Sequence, residues 1–200
     1  MAGLVVPHRG SDGNTRLAEA GDREALTVAM LADVLSACLA VGPTTVVTSD
    51  DVAAAVAQEL GAEIVADPGR GQGPAVAAAL SHPPGVPVLV INSDLPAATP
   101  RDLLSLLGAM PAGGIAIAEA EDGTTNALAL AAPHLFDDLY GEHSAARFRR
   151  HAERLGIEFV SADIPHLAQD VDMPQDLARL NGALGPRTQA AFPAPAPVHP

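Results

Sequence analysis

The sequence predicts an α/β fold in which a parallel sheet is packed by small-residue helices, and three observations predict it. The run Val88-Leu-Val-Ile91 is short, apolar and rich in β-branched residues, as a strand buried on both faces must be. Of the 200 residues 48% are hydrophobic but only 2% aromatic, so the core has to be built from Ala, Val, Leu and Ile. Strand-like runs also alternate with helical periods along the first half of the chain. The length suits a single domain.

Residues 3–6 read as the first strand, followed by the polar loop Pro7-His-Arg-Gly-Ser-Asp-Gly-Asn-Thr-Arg16. Two glycines there allow close backbone approach to a phosphate, and Arg9 and Arg16 offer charge. Over 23–39, Leu26, Met30, Val34 and Cys38 recur at helical spacing, which predicts a core-facing helix stopped by Gly42-Pro43. A second strand falls at 45–48, a second helix at 51–60 with Gly61 beyond its end, and a third strand at 63–66. Next comes Asp67-Pro-Gly-Arg-Gly-Gln-Gly-Pro74, whose glycines precede an Ala-rich helix at 75–80. Such a turn suits an anion or a base edge.

The fourth strand, 86–92, runs into Asn92-Ser93-Asp94-Leu95-Pro96. A helix then restarts with Thr99 as N-cap, Pro100 at its first position and Asp102 two residues on. Asp94 thereby lies at the carboxyl end of a central strand, where open α/β sheets bind their ligands. A carboxylate there repels phosphate unless a hard cation such as Mg²⁺ stands between them.

In the second half, 115–118 is a strand, Asp122-Gly-Thr-Thr-Asn126 a turn and 127–131 another strand. Ser144 is read as the cap of an Arg-bearing helix that ends near Leu155-Gly156, with a strand after it at 157–161. Gln169-Asp-Val-Asp-Met-Pro174 leads to a last helix reaching about Leu184. From Gly185 the Pro- and Ala-rich sequence has no apolar period, so the expectation is a domain over 1–184 and a disordered tail over 185–200.

The formal net charge of −13 argues against nucleic acid or an anionic membrane as partner, and all eleven basic residues are Arg. The single Cys38, in an apolar helical pattern, reads as a buried thiol in a reducing compartment. No apolar run approaches a membrane span and the first residues lack the pattern of a signal peptide, so the expected location is cytoplasmic. The seven His lack zinc-site spacing and are taken as surface or core residues.

Four motifs point further: Thr15-Arg16-Leu17-Ala18, Asp94-Leu95-Pro96, Thr125-Asn126-Ala127-Leu128 and Asp170-Val171-Asp172-Met173-Pro174. Together with Gly141-Glu-His-Ser-Ala-Ala-Arg-Phe-Arg-Arg-His151, which resembles a Gly-x-x-Ser-φ-x-x-His pattern, they make residues 3–184 similar to the 2-phospho-L-lactate and phosphoenolpyruvate guanylyltransferases of deazaflavin coenzyme biosynthesis. That resemblance implies a Rossmann-like nucleotidyltransferase fold of the nucleotide-diphospho-sugar transferase type, three layers α/β/α with a mostly parallel sheet. It implies GTP and Mg²⁺ at the strand ends, and phosphoenolpyruvate or 2-phospho-L-lactate as acceptor.

Carried over by residue, Asp94 and Asp172 would be the metal ligands and, with Arg16, the catalytic residues. Thr125, Gly141 and Ser144 would hold the acceptor. Pro7, Arg9, Gly71, Gly73 and Ser93 would lie against the nucleotide. A homodimer is left open. Two departures stand out: the family's first-loop Lys is replaced in its neighbourhood by Asn14, and its usual Gly-Leu-Asn before the third helix is here Gly-Gln-Gly-Pro74. The alternatives are a related nucleotidyltransferase acting on molybdopterin or a sugar phosphate, and a silent paralogue that only binds nucleotide.

Overall fold

The computed structural model describes residues 1–10, 22–180 and 182–192. Strands β1 (Gly3–Pro7), β2 (Thr44–Thr48), β3 (Glu63–Ala66) and β4 (Val88–Ile91) alternate with helices α1 (Arg23–Leu39), α2 (Asp51–Leu60) and α3 (Gln72–Leu80). After β4 come α4 (Pro100–Ala109), β5 (Ile115–Glu119), β6 (Thr125–Leu130), α5 (Ser144–Leu155) and β7 (Phe159–Ser161). The short helices α6 (Pro165–Ala168), α7 (Pro174–Arg179) and α8 (Pro186–Ala191) follow. The strands form one sheet of order β3-β2-β1-β4-β6-β5-β7, in which only β6 runs against its neighbours.

The period-2 alternation of the strands divides the core into two faces. Leu4, Val6, Val46, Leu89 and Ile91 point towards Leu31, Val34 and Leu35 of α1 and Leu103 and Leu106 of α4. Val5, Val47, Val88 and Val90 point the other way, towards Val76 of α3 and Phe148 of α5. The result is a three-layer α/β/α sandwich. Each of these fully buried aliphatic side chains contributes about 1.5–3 kcal/mol of hydrophobic stabilisation before entropy is counted. The Ala-rich faces of α2 and α3 let those helices sit close to the sheet with few aromatics.

Local signals act as expected at α4, where Thr99 and Asp102 form a reciprocal capping box behind Pro100. Gly61 closes α2 and Gly156 closes α5, both in the left-handed conformation. Four details differ from the sequence reading. Helix α3 begins at Gln72, so Gly73 lies inside it and not in the preceding turn. Ser144 is the first residue of α5 and not its cap; His143, at φ +55°, precedes it. The third lies before the tail, where two short helices stand: α7 ends at Arg179, and α6 precedes it where the sequence reading has no helix.

The fourth difference is the tail. Residues beyond Gly185 were expected to be disordered, yet α8 packs against α1. The buried Asp33 of α1 accepts hydrogen bonds from the N–H groups of Arg187 (3.2 Å) and Thr188 (2.8 Å), so it caps a helix far away in the chain. Arg187 also pairs with the Asp33 carboxylate, Gly185 N–H donates to the Pro96 carbonyl, and Phe192 packs beside Leu26 and Met30. A cap supplied from 155 positions away leaves no mark in the local pattern.

Candidate active site

The carboxyl ends of β1 to β4 and the start of the reversed β6 meet at one edge of the sheet. A cavity of about 500 Å³ opens at that edge. Its walls come from Pro7-His8-Arg9-Gly10 after β1, Arg70-Gly71-Gln72 at the start of α3, Asn92-Ser93-Asp94 after β4, and Tyr140-Gly141 before α5.

Asp94 is part of its lining. The loop that follows α6 is pinned beside it: Val171 is fully buried, and its N–H donates to the Asp94 carbonyl at 3.0 Å. With Val171 turned inward, its neighbours Asp170 and Asp172 present their carboxylates to Asp94. One oxygen from each of the three lies within 4.8 Å of the others. Asp94 Oδ1 is buried and has no hydrogen-bond partner among the described residues. Burial, reinforced by the charges of Asp170 and Asp172, pushes the Asp94 carboxyl up to about 7. Asp170 is also raised, first by burial and then by Asp172, although Asn126 Nδ2 donates to its Oδ1 at 3.4 Å.

Polar side chains knit the rest of the edge. Gln72 Nε2 donates to Asn92 Oδ1 at 2.7 Å, Asn92 Nδ2 donates to the Thr125 carbonyl at 3.4 Å, and the Asn92 N–H donates to the Asn126 carbonyl. His8 is 2% exposed, with its Nδ1 2.9 Å from Ser93 Oγ. Burial lowers its imidazole to about 4, against the opposing pull of Asp50. His8 is therefore neutral at neutral pH.

Of the residues expected at the site, Pro7, Arg9, Gly71, Ser93, Asp94, Gly141 and Asp172 all line the cavity. Gly73 does not; it packs so closely on the Asp138 carboxylate that an added Cβ would overlap it. Thr125 and Ser144 do not line it either. They are buried and paired, Ser144 Oγ donating to Thr125 Oγ1 at 3.0 Å. The opening N–H groups of α5 are also occupied, Ser144 N–H by the Gly141 carbonyl and Ala145 N–H by the Gly123 carbonyl. The last His of the Gly-x-x-Ser-φ-x-x-His pattern falls at position 148, where a fully buried Phe stands. Arg16 and Asn14 lie outside the described residues.

The sequence reading leaves Asp170 out of the ligand set, although Asp-Val-Asp carries the signal: alternate residues of an extended segment share a face. His8 carries no local signal, since its partner Ser93 lies 85 positions away.

Comparison with known proteins decides the family. Residues 4–183 match the family described as "Guanylyl transferase CofC like". The chain belongs to that family. A phosphoenolpyruvate guanylyltransferase of Streptomyces scabiei is 37% identical over 94% of this chain and 94% of its own length. A 2-phospho-L-lactate guanylyltransferase of Natrialba magadii is 34% identical over 88% and 82%. In fold, this CofC-like chain is similar to a nucleotidyl transferase from Methanothermobacter, with a TM-score of 0.68 at 18% identity over 91% and 96% of the two chains. A 2-C-methyl-D-erythritol 4-phosphate cytidylyltransferase from Thermus thermophilus gives 0.61 at 18% over 91% and 98%. The fold is thus that of the nucleotidyltransferases.

The acidic triad of this CofC-like chain suits a divalent cation on its own chemistry. It offers only carboxylate oxygens, the ligands of hard cations, and one of them is buried with nothing to bond. No described helix is long and apolar enough to cross a membrane.

Proposed function

We propose that this protein transfers GMP from GTP to the phosphate of phosphoenolpyruvate or 2-phospho-L-lactate and releases pyrophosphate, a step of deazaflavin coenzyme assembly. The observation that carries the reading is the triad Asp94, Asp170 and Asp172 at the mouth of a nucleotide-sized cavity in a chain of this family. An acceptor phosphate oxygen forms the new bond to the α-phosphorus of GTP, and the bond from that phosphorus to the departing pyrophosphate breaks. The acceptor is already an anionic nucleophile, so no side chain has to remove a proton.

What the protein supplies is position and charge. The three carboxylates would hold Mg²⁺, which supplies neutralisation of phosphate charge between them and the substrates. GTP takes the β1–β4 side, against Pro7, Arg9, Gly71 and Ser93, with Arg9 and Arg70 drawing the phosphates into an otherwise acidic protein. Arg16 belongs with them as a further cation on the leaving pyrophosphate. The acceptor takes the β6–α5 side. There the Thr125–Ser144 pair sets the Gly141 turn, and the Arg147 guanidinium donates to the Tyr140 carbonyl at 2.6 Å.

Thr125 and Ser144 thus act on the acceptor by holding the wall it meets. Gly141, at φ +101°, holds a backbone conformation that residues with a side chain rarely adopt, and an added Cβ would press on Arg147 Nη2 at 3.2 Å.

Incubation with GTP, Mg²⁺ and each acceptor in turn, followed by mass spectrometry, tests the reading. A guanylated three-carbon acid is expected from one acceptor or both. GDP and free phosphate as the only products would contradict it.

A further inference from the structure

Three residues that line the cavity each carry a buried polar atom with no hydrogen-bond partner among the described residues: Asp94 at Oδ1, His8 at Nε2 and Thr27 at Oγ1. The first is accounted for by a cation. The other two lie on the β1–α1 side, in side chains each only 2% exposed. An unbonded buried polar atom costs on the order of 1–3 kcal/mol, so two at one site call for a ligand.

Thr27 is the more telling because it sits within α1. A helical Ser or Thr ordinarily returns its hydroxyl to the carbonyl four residues back, as Ser36 does to Ala32 and Ser105 to Arg101. Thr27 makes no such bond. At His8 the Ser93 contact occupies Nδ1, which fixes the ring and leaves Nε2 as its remaining polar atom.

We propose that His8 and Thr27 are nucleotide-binding residues: Nε2 and Oγ1 hydrogen-bond oxygens of the bound nucleoside triphosphate, on the side of the cavity away from the acceptor. The assignment rests on the proposed function for the identity of the triphosphate. It follows sheet order, since β1 and α1 stand on the opposite side of Asp94 from β6 and α5. Ser93 becomes the link that holds the His8 ring in place beside the metal ligand Asp94.

The test uses four variants of the full chain. Thr27→Val keeps the shape and removes the hydroxyl, while Thr27→Ser restores it. His8→Asn keeps a polar atom within reach of Ser93 but none at the Nε2 position, which His8→Gln restores. Calorimetric titration with GTP and Mg²⁺ gives affinity without turnover, and steady-state kinetics give the two KM values. Thr27→Val and His8→Asn are expected to weaken GTP binding about tenfold each, a loss of one ordinary hydrogen bond to a charged partner. The acceptor KM should stay within about twofold, and Ser and Gln should recover most of the loss.

Unchanged GTP affinity in Thr27→Val and His8→Asn, alongside normal binding by the unaltered chain, would overturn the assignment and leave the atoms to solvent. So would equal losses in GTP and acceptor binding that Ser and Gln fail to repair. If the unaltered chain takes CTP in place of GTP, the guanylyl reading fails. The four variants scored against CTP then decide the His8–Thr27 assignment in the same way.

Discussion

At Asp94 the residue's burial and its two acidic neighbours both oppose ionisation, whereas the proposed role in holding a cation needs it ionised. The consequence is a site that costs stability until a cation fills it. Asp94→Asn should remove the repulsion. In metal-free protein near pH 8 it is expected to raise Tm by several degrees, on the order of 2 kcal/mol, while reducing activity to a trace. Scanning calorimetry beside a pyrophosphate assay checks both halves.

The same residue sets a pH dependence. With the carboxyl raised from its ordinary value to about 7, the folded chain holds a proton that the unfolded chain has lost across the window from about pH 4 to 7. Metal-free stability therefore falls as pH rises through that window. Mg²⁺ should reverse the loss, so the Tm gained on adding it is expected to be small at pH 5 and large at pH 8. An equal gain at both would contradict the account.

Asp94 is legible in the sequence because strand, corner and capped helix all lie within fifteen residues of it. His8 and Thr27 are not. Their burial depends on Ser93, 85 positions from His8, and on the fold that closes α1 over the cavity. Ser144 shows the limit of a local rule: it occupies a helix start, but its hydroxyl goes to Thr125 on a neighbouring strand.

Among the elements, the strand-loop-helix order is written locally, in apolar period and in Gly and Pro stops, and most of the expected elements are present. What local pattern does not carry is docking. Helix α8 has no apolar stripe, and its anchor is the Asp33 carboxylate of α1 together with Thr188, which is fully buried. Deleting residues 185–200 should therefore lower Tm by several degrees. Asp33→Ala alone should cost about 1–2 kcal/mol through the lost cap. Urea unfolding of both variants measures this, and a truncated chain as stable as the whole would refute the docking.

At the other end of the site, Ser144→Ala breaks the buried hydroxyl pair that supports the Gly141 turn. The expected result is a loss of about 1 kcal/mol and a several-fold rise in acceptor KM, with GTP binding unchanged. A GTP KM that rises with it would place the pair elsewhere in the account.

On the scale of the whole molecule, the proposed reaction brings two anionic substrates to one edge of the sheet in a protein that is itself strongly acidic. Long-range charge repels both, so in the proposed reaction binding would depend on local cations: Arg9 and Arg70 in the cavity, and an ion held by the three carboxylates. The reversal of β6 brings Thr125 and Asn126 to the same edge as Asp94, and Asn126 in turn holds Asp170. This sheet order is not readable strand by strand; the family resemblance of the motifs implies only a mostly parallel sheet. The central claim is that the cavity transfers a guanylyl group and does not merely cleave GTP. Phosphorus NMR of one reaction containing the protein, GTP, Mg²⁺ and phosphoenolpyruvate or 2-phospho-L-lactate tests it most directly. The account predicts free pyrophosphate together with a pair of mutually coupled signals from the new diphosphate diester. GDP and inorganic phosphate, or GTP unchanged with both acceptors, would contradict it.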